Sequence, residues 1–366
     1  MGKVPAFDEK ELEVVREEPN FFGGTDPIYS YPVTMKEAVR SALSDKKPYW
    51  MMMGNEQVTF TPSVIPDNGA RGFVFEGEPY PREKFGGKDM FGIDWVYVDV
   101  AGGSMVKPGD PYLKEIDEWR TKLVWPDIYS WDWDGSAKMN EQYLGTDKSN
   151  QIILLNGCWF ERLISFMDFQ YAAMALVDED DVEEVKELTA KLTDLYIDLV
   201  DVICDTYKTL DGIQIHDDWG SQKAPFFSED VALDVYLPEM KRFVSHVHSK
   251  GKYCTLHSCG HNETRCDVFA DAGFDAWDPM PMNDTYSLYD DYGDRLGIGV
   301  AIKKPEDLEH YDEAAQRAYA KECVDRLTDE GKLGYYSSFY SDPEVMTPAF
   351  REELYKQSRI RYSELY

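Results

Sequence analysis

An imidazole and a thiol stand two residues apart in Tyr253-Cys254-Thr255-Leu256-His257-Ser258-Cys259-Gly260, and both are metal-ligand types. The residues before them read as a short strand. Side chains alternate along a strand, so His257 and Cys259 share a side. At a rise of about 3.3 Å per residue, their Cα atoms would lie roughly 7 Å apart. Bonds of about 2.0 Å to nitrogen and 2.3 Å to sulfur span that gap around one zinc ion. Gly260 permits a sharp turn after the second ligand. The competing explanation is a buried thiol beside a hydrogen-bonded histidine, and two donors leave a shell incomplete.

Other titratable groups follow apolar runs in the same way. Asn55 and Glu56 follow the run 49–53, and Cys158, Glu161 and Arg162 follow 151–157. His216, Asp217 and Asp218 end the run 211–216, and Asp278 ends 276–278. Each has an ordinary alternative. His216 could be a core histidine, and Asp217 and Asp218 could be loop or helix caps. Glu56 could be a solvated loop acid, and Glu161 a first-turn acid or a partner of Arg162. Strand parity favours chemistry for some of them. Ile213, Ile215 and Leu256 face outward to helices, which leaves Gln214, His216, His257 and Cys259 facing inward.

Positioning so many strand ends requires a sheet of parallel strands. Apolar runs at 49–53, 151–157, 211–216, 252–259, 276–278, 296–301 and 334–339 read as strands. Helices are expected at 35–46, 182–208, 229–250, 262–272, 305–330 and 347–363. In the longest of these, Val182, Val185, Leu188, Leu192, Leu195 and Leu199 recur at helical spacing. Strands alternating with helices imply an α/β fold with a parallel sheet. About eight such units favour a closed (β/α)8 TIM barrel as a single domain over 1–366, with catalysis at the C-terminal strand ends. Residues 1–34 read as an irregular arm, and 55–110 as an elaborated loop region with small strands such as 94–98. No glycine-rich phosphate turn follows the first strand, which disfavours an open doubly wound sheet.

The chain has 366 residues, a formal net charge of −31 and 43% hydrophobic residues, enough for a large core. Such acidity argues against nucleic acid or an anionic membrane as a partner. The six scattered cysteines read as reduced thiols. With no apolar signal core at the N-terminus, they place the protein in the cytoplasm.

The run Asp211-Gly-Ile-Gln-Ile-His-Asp-Asp218-Trp-Gly220-Ser-Gln222, with Pro225-Phe-Phe-Ser228, His257-Ser-Cys259-Gly260 and Gly273-Phe-Asp275-Ala-Trp-Asp278-Pro, resembles the uroporphyrinogen decarboxylase-like superfamily. The resemblance covers roughly residues 150–360. The H-x-C-G strand is similar to its corrinoid-dependent zinc methyltransferase branch, which includes methylcobalamin methyltransferases and O-demethylase components. True decarboxylases carry arginines after the first strand that hold substrate carboxylates. Here Pro48-Tyr-Trp50-Met-Met52-Met53-Gly-Asn-Glu56 lacks them. Coenzyme M methyltransferases take a third zinc ligand from a Cys after the last strand, and residues 334–342 contain none. The related methionine synthases use a Glu from the strand after H-x-C, and Asp278 occupies a comparable place.

The resemblance therefore implies zinc on His257, Cys259 and Asp278, with Glu161 and Asp218 as further candidate ligands. The proton-transfer candidates are Asp218, His216 and Glu161. Substrate contacts are expected from Asn55, Glu56, Asp217, Gln222 and Trp219. The aromatic residues Trp50, Phe60, Tyr97, Trp159, Phe160 and Trp219 suit an aromatic pocket or a core. The expected reaction moves a methyl group from a small methylated compound, an aryl methyl ether, to a corrinoid protein. The corrinoid arrives on that partner, because no cobalamin-domain signature is present, and a homodimer is the expected assembly. The alternatives are a metal-free decarboxylase or lyase on the same barrel, and a non-catalytic barrel that binds a corrinoid or methylated ligand.

Overall fold

The computed structural model describes residues 3–20, 23–98, 103–107, 109–306 and 310–366. Among them, seven strands form one sheet in strict chain order. They are β1 (Gln57–Phe60), β2 (Ser149–Leu154), β3 (Leu210–His216), β4 (Tyr253–His257), β5 (Ala276–Trp277), β6 (Gly297–Val300) and β7 (Gly334–Tyr336). The registers of β2 with β3, β3 with β4, β5 with β6 and β6 with β7 are parallel. Consecutive βα units produce this order, whereas a doubly wound sheet reverses at a switch point. The chain divides into two compact units: Met1–Val58 with Asp147–Ser149 and Asp275–Tyr366, and Thr59–Thr146 with Asn150–Phe274.

In the second unit, Ile152, Leu154, Ile213, Ile215 and Leu256 are buried. The helix Val182–Thr206 buries Val185, Leu188, Leu192, Leu199 and Ile203 in one stripe. The helix Phe160–Ala175 was not expected from the sequence. Its aromatic residues break a clean amphipathic pattern, and its first amides are capped from outside the local sequence: Asp217 accepts from Phe160 N at 3.0 Å and Glu161 N at 2.6 Å. The Gly-rich region forms the helix Pro66–Arg71 and an antiparallel sheet of Gly87–Lys88, Asp94–Val98 and Gly103–Val106.

In the first unit, three expectations change. Residues 49–53 form no strand. The Glu56 carboxylate accepts from the Met53 and Gly54 amides at 3.0 and 2.9 Å, so those two amides are unavailable to a ladder, and from the Trp50 indole at 3.0 Å. Tyr336 N still donates to Met52 O at 3.0 Å. In the N-terminal arm, Val14–Pro19 pairs antiparallel with Thr25–Tyr29. The arm's buried Glu11 accepts from Tyr355 at 2.6 Å and from Arg359 at 2.8 Å, both in the helix Pro348–Leu365. The helix expected over 305–330 runs Glu313–Leu327, and residues 307–309 lie outside the described residues.

Candidate metal centre

β3 and β4 end together, with His216 paired to His257 in register. Parallel neighbours carry side chains in step, and the two rings stack with centroids 4.5 Å apart at 24°. The strand ends at His257, two residues earlier than the H-x-C reading needs. A loop therefore delivers Cys259. Asp217 N donates to His257 O at 3.0 Å, and Trp219 N donates to Ser258 Oγ at 3.1 Å. Gly260 has φ +101, and a Cβ there would lie 2.2 Å from Gly220 O. Backbone packs directly on backbone, and no larger residue fits.

This loop pairing gathers four donors. One atom each from His216, Asp218, His257 and Cys259 lies within 4.8 Å of all the others. His257 Nε2 is 3.1 Å from Cys259 Sγ. Asp218 Oδ1 is 3.8 Å from His216 Nε2 and 3.9 Å from His257 Nε2. A tetrahedral ion with bonds of about 2.0–2.3 Å separates its ligand atoms by about 3.3–3.8 Å. The donor types also suit zinc, being two imidazoles, one thiol and one carboxylate. The residues present therefore fit the zinc ion expected from the sequence. Asp218 Oδ1 also accepts from Cys259 N at 2.6 Å.

Behind the donors stands a second layer. Glu161 Oε2 lies 2.7 Å from His216 Nδ1, and Glu161 Oε1 accepts from Arg71 Nη1 at 2.6 Å. The same Arg71 nitrogen donates to Asn156 Oδ1 at 3.2 Å. Asn156 and Gly157, both at positive φ, turn the chain between β2 and its helix. A Cβ on Gly157 would lie 2.7 Å from His216 O. Deeper still, Arg162 pairs with Asp67 and Asp89, all with fully buried side chains.

Electrostatics sort the roles. Burial opposes ionisation of Glu161, but Arg71 and His216 outweigh it and hold its carboxyl well below the usual range. Glu161 therefore stays an anion and has no proton to give. Burial also opposes the His216 cation, yet Asp218 and Glu161 raise its pKa. His257 drops to about 4, through burial and then the neighbouring His216. It offers a neutral nitrogen at pH 7. Burial and then Asp218 push the Cys259 thiol up, so it keeps its proton until a cation reverses the local field.

The remaining candidates are placed differently. Asp217 is buried and its carboxylate caps the helix Phe160–Ala175. Trp219 is packed among Phe227, Phe269 and Tyr236. Gln222 is exposed. Asn55 and Glu56 belong to the first unit, where Glu56 is tied to its own loop. Asp278 also belongs to the first unit and is not among the clustered donors. Burial pushes its carboxyl up to about 6, against the Ser337 hydroxyl. Of the aromatic residues, Trp50 stacks on Tyr31, Phe60 meets Tyr207, and Trp159 meets Phe243. Arg71 went unnoticed in the sequence. It stands in the Gly-rich region with no motif around it, and only the tertiary fold brings it to Glu161.

No protein-family model matches the sequence, and no curated protein matches it. A methyltransferase from Methanosarcina mazei is similar in structure, with a TM-score of 0.58 at 16% identity. The similarity covers 89% of this chain and 98% of that one. It is a likeness of fold.

Proposed function

We propose that this chain is a zinc-assisted methyltransferase built on one closed (β/α)8 barrel domain. In this reading it moves a methyl group from a small aryl methyl ether to a corrinoid carried by a separate protein. The observation that carries the reading is the cluster of His216, Asp218, His257 and Cys259 at the ends of adjacent parallel strands. The fold shared with the Methanosarcina mazei methyltransferase adds to it.

His216, His257 and Cys259 would hold the ion, with Asp218 as the fourth donor. A bound zinc ion supplies a Lewis acid for a substrate oxygen. The chain's own groups do the rest. Glu161 keeps His216 oriented. The buried backbone contacts of Asp217 and Gly260 keep the two strand-end loops in place. When the methyl carbon leaves, the carbon–oxygen bond breaks with its electron pair on oxygen. The resulting phenolate is the conjugate base of an acid of pKa about 10, so a proton at that oxygen lowers the barrier. Asp218, close to both histidine Nε2 atoms, would be the group to relay a proton from solvent to that oxygen.

The test combines composition and turnover. Purified protein should hold about one zinc per chain. It should demethylate a methoxyphenol only when a reduced corrinoid protein is supplied. Metal-replete protein without bound zinc sinks the metal assignment, and zinc-loaded protein that transfers no methyl group from any aryl ether sinks the reaction. The corrinoid partner, a cytoplasmic setting and a homodimer are parts of the same proposal, read out by reconstitution, fractionation and sedimentation.

A further inference from the structure

Arg71 is a largely buried cation that the proposed reaction does not use. It ends the helix Pro66–Arg71, and its guanidinium carbon lies 5.5 Å over the Trp95 ring. Its Nη1 joins Glu161 Oε1 at 2.6 Å, and the other Glu161 oxygen reaches His216 Nδ1 at 2.7 Å. A guanidinium, a carboxylate and an imidazole are thus hydrogen-bonded in series behind the donor cluster.

We propose that Arg71 is a positioning residue for the metal centre: it anchors the Glu161 carboxylate, which accepts a hydrogen bond from the Nδ1–H of His216 and so leaves the Nε2 lone pair for the metal. This deepens the metal reading and rests on His216 as a ligand. The argument is geometric. An ionised carboxylate only accepts hydrogen bonds, so an imidazole nitrogen 2.7 Å away must carry the proton. A neutral ring has one proton, so Nε2 then holds the lone pair. The imidazole torsion is broad and two-fold on its own, and the bond to Glu161 selects one ring orientation. Glu161 is flexible too, and its two oxygens are fixed by two different partners. Arg71 is itself braced. Its partner Asn156 donates to Asp67 Oδ1 at 2.8 Å, and Asp67 is paired with Arg162. Outer hydrogen bonds of this kind set ligand orientation and tune metal affinity.

The experiment is long-range nitrogen–proton NMR on histidine-labelled protein, at a pH where the ring is neutral, with His216 assigned by loss of its signal in His216→Asn. Zinc affinity is measured beside it by competition with a chromophoric chelator. In the native chain, His216 should carry its proton on Nδ1 with and without zinc. Glu161→Gln and Arg71→Met should weaken zinc by about 10–100-fold. Arg71→Lys, which keeps the cation, should recover most of that loss and controls for misfolding. A native His216 protonated on Nε2 overturns the proposal, as does zinc affinity unchanged in both Glu161→Gln and Arg71→Met. If the native chain takes up no zinc, the metal reading fails on its own. The metal-free tautomer, and its change in Arg71→Met, then still decides what Arg71 does.

Discussion

Replacing Asp218 by Asn separates chemistry from scaffolding. Its Oδ1 accepts from Cys259 N at 2.6 Å and lies 3.8 and 3.9 Å from the two histidine Nε2 atoms. An Asn carbonyl can keep the bond to Cys259 N, but without the charge. Hydrogen bonds to charged groups contribute about 1.5–3 kcal/mol and neutral ones about 0.5–1.5, so the expected stability loss is about 1 kcal/mol. The side chain is 25% exposed, and solvent screening keeps the loss near or below that figure. Methyl transfer should fall by about 100-fold or more, the scale of a positioned proton carrier. Zinc affinity should fall as well, because a neutral amide replaces an anionic donor. One preparation supplies all three numbers: denaturant unfolding, chelator competition, and demethylation of a methoxyphenol with reduced corrinoid protein. Full activity with unchanged zinc affinity would remove Asp218 from the site. A loss of several kcal/mol with the rate preserved would make it a loop brace.

Cys259→Ala should lose zinc yet unfold at nearly the same denaturant concentration as the metal-free native chain, since the donors sit on a large preformed fold, unlike a zinc finger; cooperative unfolding near room temperature would mark a structural metal. Zinc binding near pH 7 should release about one to two protons, because the Cys259 thiol is held protonated and the His216 pKa is raised. Calorimetry in buffers of different ionisation enthalpy reads this number, and zero release refutes thiolate ligation. Asp278→Asn tests a buried acid whose folded pKa is raised to about 6. A raised folded pKa gives stability below the unfolded value that disappears as pH climbs through the folded one. The Asn variant should therefore gain on the native chain between about pH 4 and 6, reaching about 1–2 kcal/mol after allowance for partial exposure. A pH-independent difference in unfolding free energy refutes the assignment.

How much was legible can be traced through particular residues. Tyr253–His257 and Leu210–His216 were legible as strands because each is a short run buried almost throughout, and the long helix from Val182 carries its own 3.6-residue stripe. Parity then placed His216 and His257 on one side. The run 49–53 misled because its apolar residues look like a buried strand, whereas Glu56 binds the amides a ladder would need. The helix Phe160–Ala175 escaped notice because its cap, Asp217, lies far along the chain.

The sequence alone determined the donor types and those elements whose period is carried within a short segment, such as Leu210–His216, Tyr253–His257 and the helix from Val182. Tertiary structure decided which donors meet. Asp218 and Cys259 are brought together by a backbone contact between Gly220 and Gly260. Asp278, attractive by position in the chain, stands outside that group. Arg71 reaches Glu161 across 90 residues of sequence. Such partners are selected by packing between distant segments, and no local pattern records them.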